Sequence, residues 1–148
     1  MSPRFEYNLR MNRRDFFPLA ALPALAGLTG EAFAAEKLPN ATRTGGDAVL
    51  THEAFGDLRV YYDGPTEQLA AMTAGSLRLK PGMSPHPPHQ HPEEEIMVVT
   101  EGTGQITVEG KSTLVSSGSM MYCAAGKLHG IVNTGKTPLL FYYFKWKR

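Results

Sequence analysis

The stretch Pro81–Gly102, PGMSPHPPHQHPEEEIMVVTEG, constrains this chain more than any other. His89 and His91 are two residues apart, and Glu95 follows four residues after His91. In an extended strand, residues i and i+2 project from one face, so an H-x-H pair brings two imidazoles to one point without help from a loop. Glu95 has the same parity. A strand that resumes after the Pro92 turn therefore adds a carboxylate to the two nitrogens. Pro85, Pro87, Pro88 and Pro92 fix φ at their own positions and hold the residues before them extended. A segment stiffened in this way loses less entropy when it is ordered around an ion.

A second stretch, Gly118–Asn133, reads as a strand over Ser119–Cys123, a turn at Ala125 and Gly126, and a returning strand over His129–Asn133. It makes His129 a further candidate ligand. Together the two stretches resemble the paired motifs of the cupin superfamily. His89, His91, Glu95 and Gly102 match the H-x-H-x3-E-x6-G part of the first motif, and Gly118, Gly126, His129 and Asn133 match the second. Two departures are visible: six residues, one more than the motif has, separate Gly82 from His89, and Ala124 stands where the second motif has proline. The extra residue predicts a bulge and puts His86 near the site. The resemblance implies a small single-domain, metal-binding cupin, a jelly-roll barrel whose ion is held by His89, His91, Glu95 and His129.

The remaining sequence is consistent with that fold. With 148 residues the chain has room for one core. Strands are expected over Leu58–Tyr62, Met72–Leu79, Glu94–Glu101, Gln105–Glu109, Ser112–Val115 and Leu139–Trp146, with turns at Asp63-Gly64-Pro65, Gly102–Gly104 and Gly110-Lys111. Short strands, frequent glycine turns and no convincing helix predict an all-β, antiparallel jelly-roll barrel over residues 58–148. Within Glu94–Glu101, Glu95, Met97 and Val99 share one face and Ile96 and Val98 the other. Both faces are largely apolar, so both should be covered. The aromatic last strand, LLFYYFKW, leaves a hydrophobic outer face of the same kind, which predicts a homodimer.

Residues 1–34 have a different character. Arg13, Arg14 and Phe16 precede a mild apolar run, Pro18–Leu28, and Ala32-Phe33-Ala34 fits a signal-peptidase site. This resembles a twin-arginine export signal, although Pro18 stands where that signal often has lysine. Met11 is an alternative start. The run is too short, and too rich in proline, for a membrane span of roughly 20 residues or for a buried helix. Cleavage after Ala34 leaves eleven basic and eleven acidic residues, because four of the 15 basic and three of the 14 acidic residues are removed. No basic patch for nucleic acid remains, and the lone Cys123 excludes an intrachain disulfide. The mature chain is expected to be periplasmic or secreted, without a membrane anchor. Residues 35–57, with Pro39, Asn40, Thr42, Thr44, Gly45 and Gly46 near their start, read as a flexible lead-in that either hangs free or pairs with a neighbouring chain, and His52 in it as a surface residue.

Three imidazoles and one carboxylate form an N3O set that suits one divalent transition ion: Mn, Fe, Ni, Cu or Zn. Folding before export, as a twin-arginine signal implies, favours Mn or Fe. An octahedral ion so held keeps two adjacent positions open, and one carboxylate offsets half its charge, so small anionic chelating molecules are the expected ligands. The leading expectation is a metal-dependent oxygenase or decarboxylase. A non-catalytic module that binds a carboxylate or sugar comes second, and a storage barrel third. A solvated His-rich tract is the bland alternative, and the two ordered motifs argue against it. Glu93 and Glu94 read as solvated turn residues, and Tyr122 and Cys123 as strand packing. Arg78 faces either the site, gripping an anion, or solvent, and its parity does not decide between them.

Overall fold

Hydrophobic alternation of period two gives the chain one-sided strands that must find a partner sheet. The computed structural model describes residues 35–148; the expected export signal lies outside them. In chain order the strands are β1 (Val49–Glu53), β2 (Gly56–Gly64), β3 (Ala71–Leu79), β4 (Glu94–Glu101), β5 (Thr103–Val108), β6 (Lys111–Ser116), β7 (Met120–Cys123), β8 (His129–Val132) and β9 (Leu139–Lys147). No helix occurs among the described residues. A six-stranded sheet, β1-β2-β3-β9-β4-β7, faces a three-stranded one, β6-β5-β8, and every pairing is antiparallel. This all-β arrangement is that of a jelly roll.

The core lies between the sheets. Leu77, Leu79, Met97, Val99, Leu139 and Phe141 come from the larger sheet and Ile106 and Ile131 from the smaller. Strand β4 places Glu95, Met97 and Val99 inward, as the alternation predicts, whereas Ile96 and Val98 stay half-buried on the outer face. The outer face continues across neighbouring strands through Phe144 (41% exposed), Tyr122 (58%) and Met120 (68%).

Three local readings need correction. The expected Gly102–Gly104 turn is a pivot at Gly102 alone, where the chain leaves the larger sheet for the smaller. Gly102 has φ 80°, and an added Cβ would lie 2.4 Å from the Pro138 carbonyl, so only glycine fits. The β5–β6 hairpin turns at Glu109-Gly110, not Gly110-Lys111. Both of its turn residues have positive φ, 49° and 80°, and Val108 pairs with Lys111, which makes a two-residue primed turn. Finally, the stretch read as lead-in contains β1, which pairs with β2 of its own chain. Leu38 N–H also bonds Pro65 O at 2.8 Å. The residues of β1 are almost all exposed, so no period-two pattern marks this strand.

Candidate metal centre

The strand termini build the site at one end of the barrel. Glu95 lies near the start of β4, opposite Cys123 at the end of β7, and His129 opens β8. His89 and His91 sit in an extended segment outside the named strands. That segment is fixed by reciprocal bonds between His89 and His129, both 2.9 Å, and by Gly126 N–H donating to His91 O at 2.8 Å. Ala124 does not leave the adjoining turn open, because Lys127 N–H closes on Ala124 O at 3.3 Å. The buried Asn133 side chain donates to Leu79 O and Thr137 O at 3.0 and 2.9 Å and accepts from Gly135 N–H at 2.9 Å. It is therefore a brace beyond β8, not a ligand.

One ligand atom from each of His89, His91 and His129 lies within 4.8 Å of the others. Glu95 reaches two of the three through a single oxygen: Oε2 is 3.0 Å from His91 Nε2 and 2.8 Å from His129 Nε2. Both rings are also tied on the other side. His91 Nδ1 donates to Glu93 O at 3.1 Å, and His129 Nδ1 to Lys127 O at 2.9 Å. In a neutral imidazole with its proton on Nδ1, Nε2 carries a lone pair. A proton on either Nε2 is donated to Glu95 Oε2; once that proton is lost, the ring's lone pair and the carboxylate oxygen are aimed at one point, as a cation would require. Three imidazoles with a carboxylate oxygen at 2.8 and 3.0 Å from two of them are a nitrogen and oxygen donor set that would suit a divalent transition ion. The residues present therefore fit a divalent ion.

The electrostatics agree. Burial and then the charges of His86, His129 and His91 push His89 down to about 4, which keeps it in the neutral, ligating form. Burial opposes ionisation of Glu95, but hydrogen bonds from His129 and His91 outweigh it and hold the carboxyl down to about 2. The bond to Glu95 raises His129, against burial. His89 Nδ1 is a buried nitrogen with no partner among the described residues.

Other candidates fall on either side of this boundary. Arg78 faces outward, its Nη1 paired with Glu101 at 2.8 Å on the surface. Tyr122 is exposed and its hydroxyl donates to Glu94 at 3.3 Å, while His52 pairs with Asp57 at 2.8 Å on β1 and β2. None of the three reaches the histidines. Glu93, read as a solvated turn residue, is instead a support of the site. Its carboxylate lies 3.2 Å from His91 Nδ1, and its carbonyl holds the same atom. The Cys123 Sγ is 3.4 Å from His129 Nδ1, and burial raises its pKa. Tyr143, unremarked in the sequence, projects inward beside Gly75, where an added Cβ would lie 2.4 Å from its hydroxyl. Burial, then the charges of Glu95 and Asp63, raise it to about 12, so the phenol stays neutral.

Residues 75–144 match the family described as the Cupin domain. The structure is similar to KdgF from Halomonas sp., with TM-score 0.61, 19% identity, and 74% of this chain and 96% of that one covered. It is also similar to an RmlC-like cupin from Shewanella frigidimarina, with TM-score 0.58, 15% identity, and coverage of 78% and 95%. Together these matches support the cupin superfamily. The cupin match spans β4 to β8 and so takes in Glu95 and the histidine cluster. A mannose-1-phosphate guanylyltransferase from Klebsiella pneumoniae is 31% identical over 72 residues, 49% of this chain but 15% of that protein. The cupin likeness is thus one of domain and fold.

Proposed function

We propose that this chain is an exported cupin in which His89, His91, Glu95 and His129 hold one divalent transition ion, Mn or Fe in preference to Ni, Cu or Zn. We read it as a metal-dependent enzyme of oxygenase or decarboxylase type, acting on a small anionic or oxygenated molecule. The observation that carries this reading is the convergence of three imidazoles with a carboxylate oxygen shared between two of them. When bound, the ion supplies a Lewis-acidic centre and, if it is Mn or Fe, a redox centre. The protein's part is to orient the ligands: carbonyls of Glu93 and Lys127 fix two imidazole tautomers, and Glu95 offsets one of the ion's two charges. The residual positive charge favours an anionic chelating substrate.

The same site can hold a carboxylate or sugar without turnover, so binding without catalysis is the second reading. Elemental analysis of protein purified from its native compartment tests the metal. Oxygen uptake and product release from pooled small acids and phenols, set beside saturable binding, then separate the two readings. Protein that holds no metal above background would end both.

Export rests on Arg13, Arg14, Phe16 and the Ala32-Phe33-Ala34 site. A homodimer is proposed through the outer face carrying Met120, Tyr122 and Phe144, whose exposure suits an apolar interface.

A further inference from the structure

Two of the three clustered histidines have their outer nitrogen accounted for, at Glu93 O and Lys127 O. His89 does not, since its Nδ1 is buried and has no partner among the described residues. A buried N–H without an acceptor is costly, and ligating histidines almost always donate their second N–H to some acceptor. The ring that packs on His89 is His86, with centroids 3.9 Å apart and planes at 70°. His86 Nδ1 donates to Pro87 O at 3.0 Å, which leaves the lone pair of the neutral ring on Nε2. An unpartnered ring nitrogen and an unused acceptor thus occupy adjoining rings.

The extra residue of the first motif explains how His86 comes to be there. Before it, Gly82 N–H bonds Asn133 O and Asn133 N–H bonds Met83 O, both at 2.9 Å, and Ser84 Oγ donates to Ile131 O at 2.7 Å. After it, His89 is pinned to His129. The added length is confined between these anchors and stiffened by Pro85, Pro87 and Pro88, and it turns His86 against His89.

We propose that His86 is a positioning residue. Its Nε2 accepts the Nδ1–H of His89 when His89 presents Nε2 to the ion, which gives the third imidazole the support that carbonyls give the other two. The proposal rests on the metal reading above, and zinc serves as the probe.

In the mature chain with 15N-labelled histidine and bound zinc, His89, His91 and His129 should each show a slowly exchanging Nδ1–H signal. His86→Phe keeps a ring but removes the acceptor. It should abolish or shift the His89 signal and lower zinc affinity about 10- to 100-fold in chelator competition, with one zinc per chain still bound at saturation. His86→Asn and His86→Gln, which restore an acceptor oxygen, should recover part of that affinity. A His86→Phe protein with wild-type affinity and an unmoved His89 signal overturns the proposal, because packing alone then suffices. Folded His86→Phe protein that binds no zinc at saturation also overturns it, by making His86 a ligand. A wild-type chain that takes up no zinc overturns the metal reading itself, a result distinct from either.

Discussion

Glu95→Gln isolates the charge at the centre while keeping its shape. Glu95 is 5% exposed, and burial alone would disfavour its ionised form. Hydrogen bonds from His129 and His91 reverse that balance and bring the group from 4.5 to about 2. A displacement of this size corresponds to roughly 3 kcal/mol in favour of the ionised form. A depressed carboxylate contributes stability that is fully present above pH 4.5 and lost as the pH falls through about 2. Glutamine resembles the neutral acid, so it forfeits this contribution at neutral pH and has none to lose in acid. In chelator-treated protein at pH 7, Glu95→Gln should lower stability by about 3 kcal/mol, or roughly 10 °C in Tm for a domain of this size. The gap from wild type should then close between pH 4.5 and 2. His89 adds a loss of the same sign in both proteins as the pH falls from 6.5 towards 4, but the Glu95 charge also raises His89 and, through its hydrogen bond, His129, so both groups contribute to the difference above pH 4.5. Urea midpoints measured from pH 7 to pH 2.5 provide the test. A gap that stays constant across the range would assign the loss to repacking, and no gap at pH 7 would remove the ion pair from the account altogether.

Four further outcomes are expected. His91→Ala or His129→Ala should remove most bound metal, since either change deletes one of four ligands, and full stoichiometry in both variants would refute the assignment. The raised pKa of His129 means that metal binding near neutrality displaces a proton, up to about one per chain below that pKa and falling towards none above it. Calorimetry in buffers of different ionisation enthalpy reads this number, and none released between pH 6 and 8 contradicts it. Protein exported by its own signal should carry Mn or Fe, and the same mature chain sent out unfolded should carry more Zn or Cu, because the N3O set prefers the latter once it fills outside the cytoplasm; equal Zn or Cu content in both preparations breaks the link. Light scattering at micromolar concentration should give a dimer, and Phe144→Glu a monomer. A wild-type monomer under the same conditions counts decisively against that interface.

What the sequence determined by itself was local. The alternation that puts Glu95, Met97 and Val99 on one face is a property of any strand and survives into the barrel unchanged. Glycines where φ is positive, at 102, 118 and 126, likewise announce themselves, because few other residues adopt that conformation. Which strands lie side by side was decided only by tertiary packing. The 34-residue separation between Glu95 and His129 closes to 2.8 Å because β4 and β8 meet at one end of two facing sheets, and no periodicity records that meeting. The same register turns Arg78 and Tyr122 away from the site and brings Cys123 to His129. Glu93 and His86 meet the clustered histidines through a carbonyl, a carboxylate and a ring contact, interactions that any residue pattern permits and only the folded backbone selects. Strand β1 was hidden for the opposite reason: with most of its side chains in solvent, its pairing is carried by backbone hydrogen bonds, which leave almost no trace in the side-chain sequence.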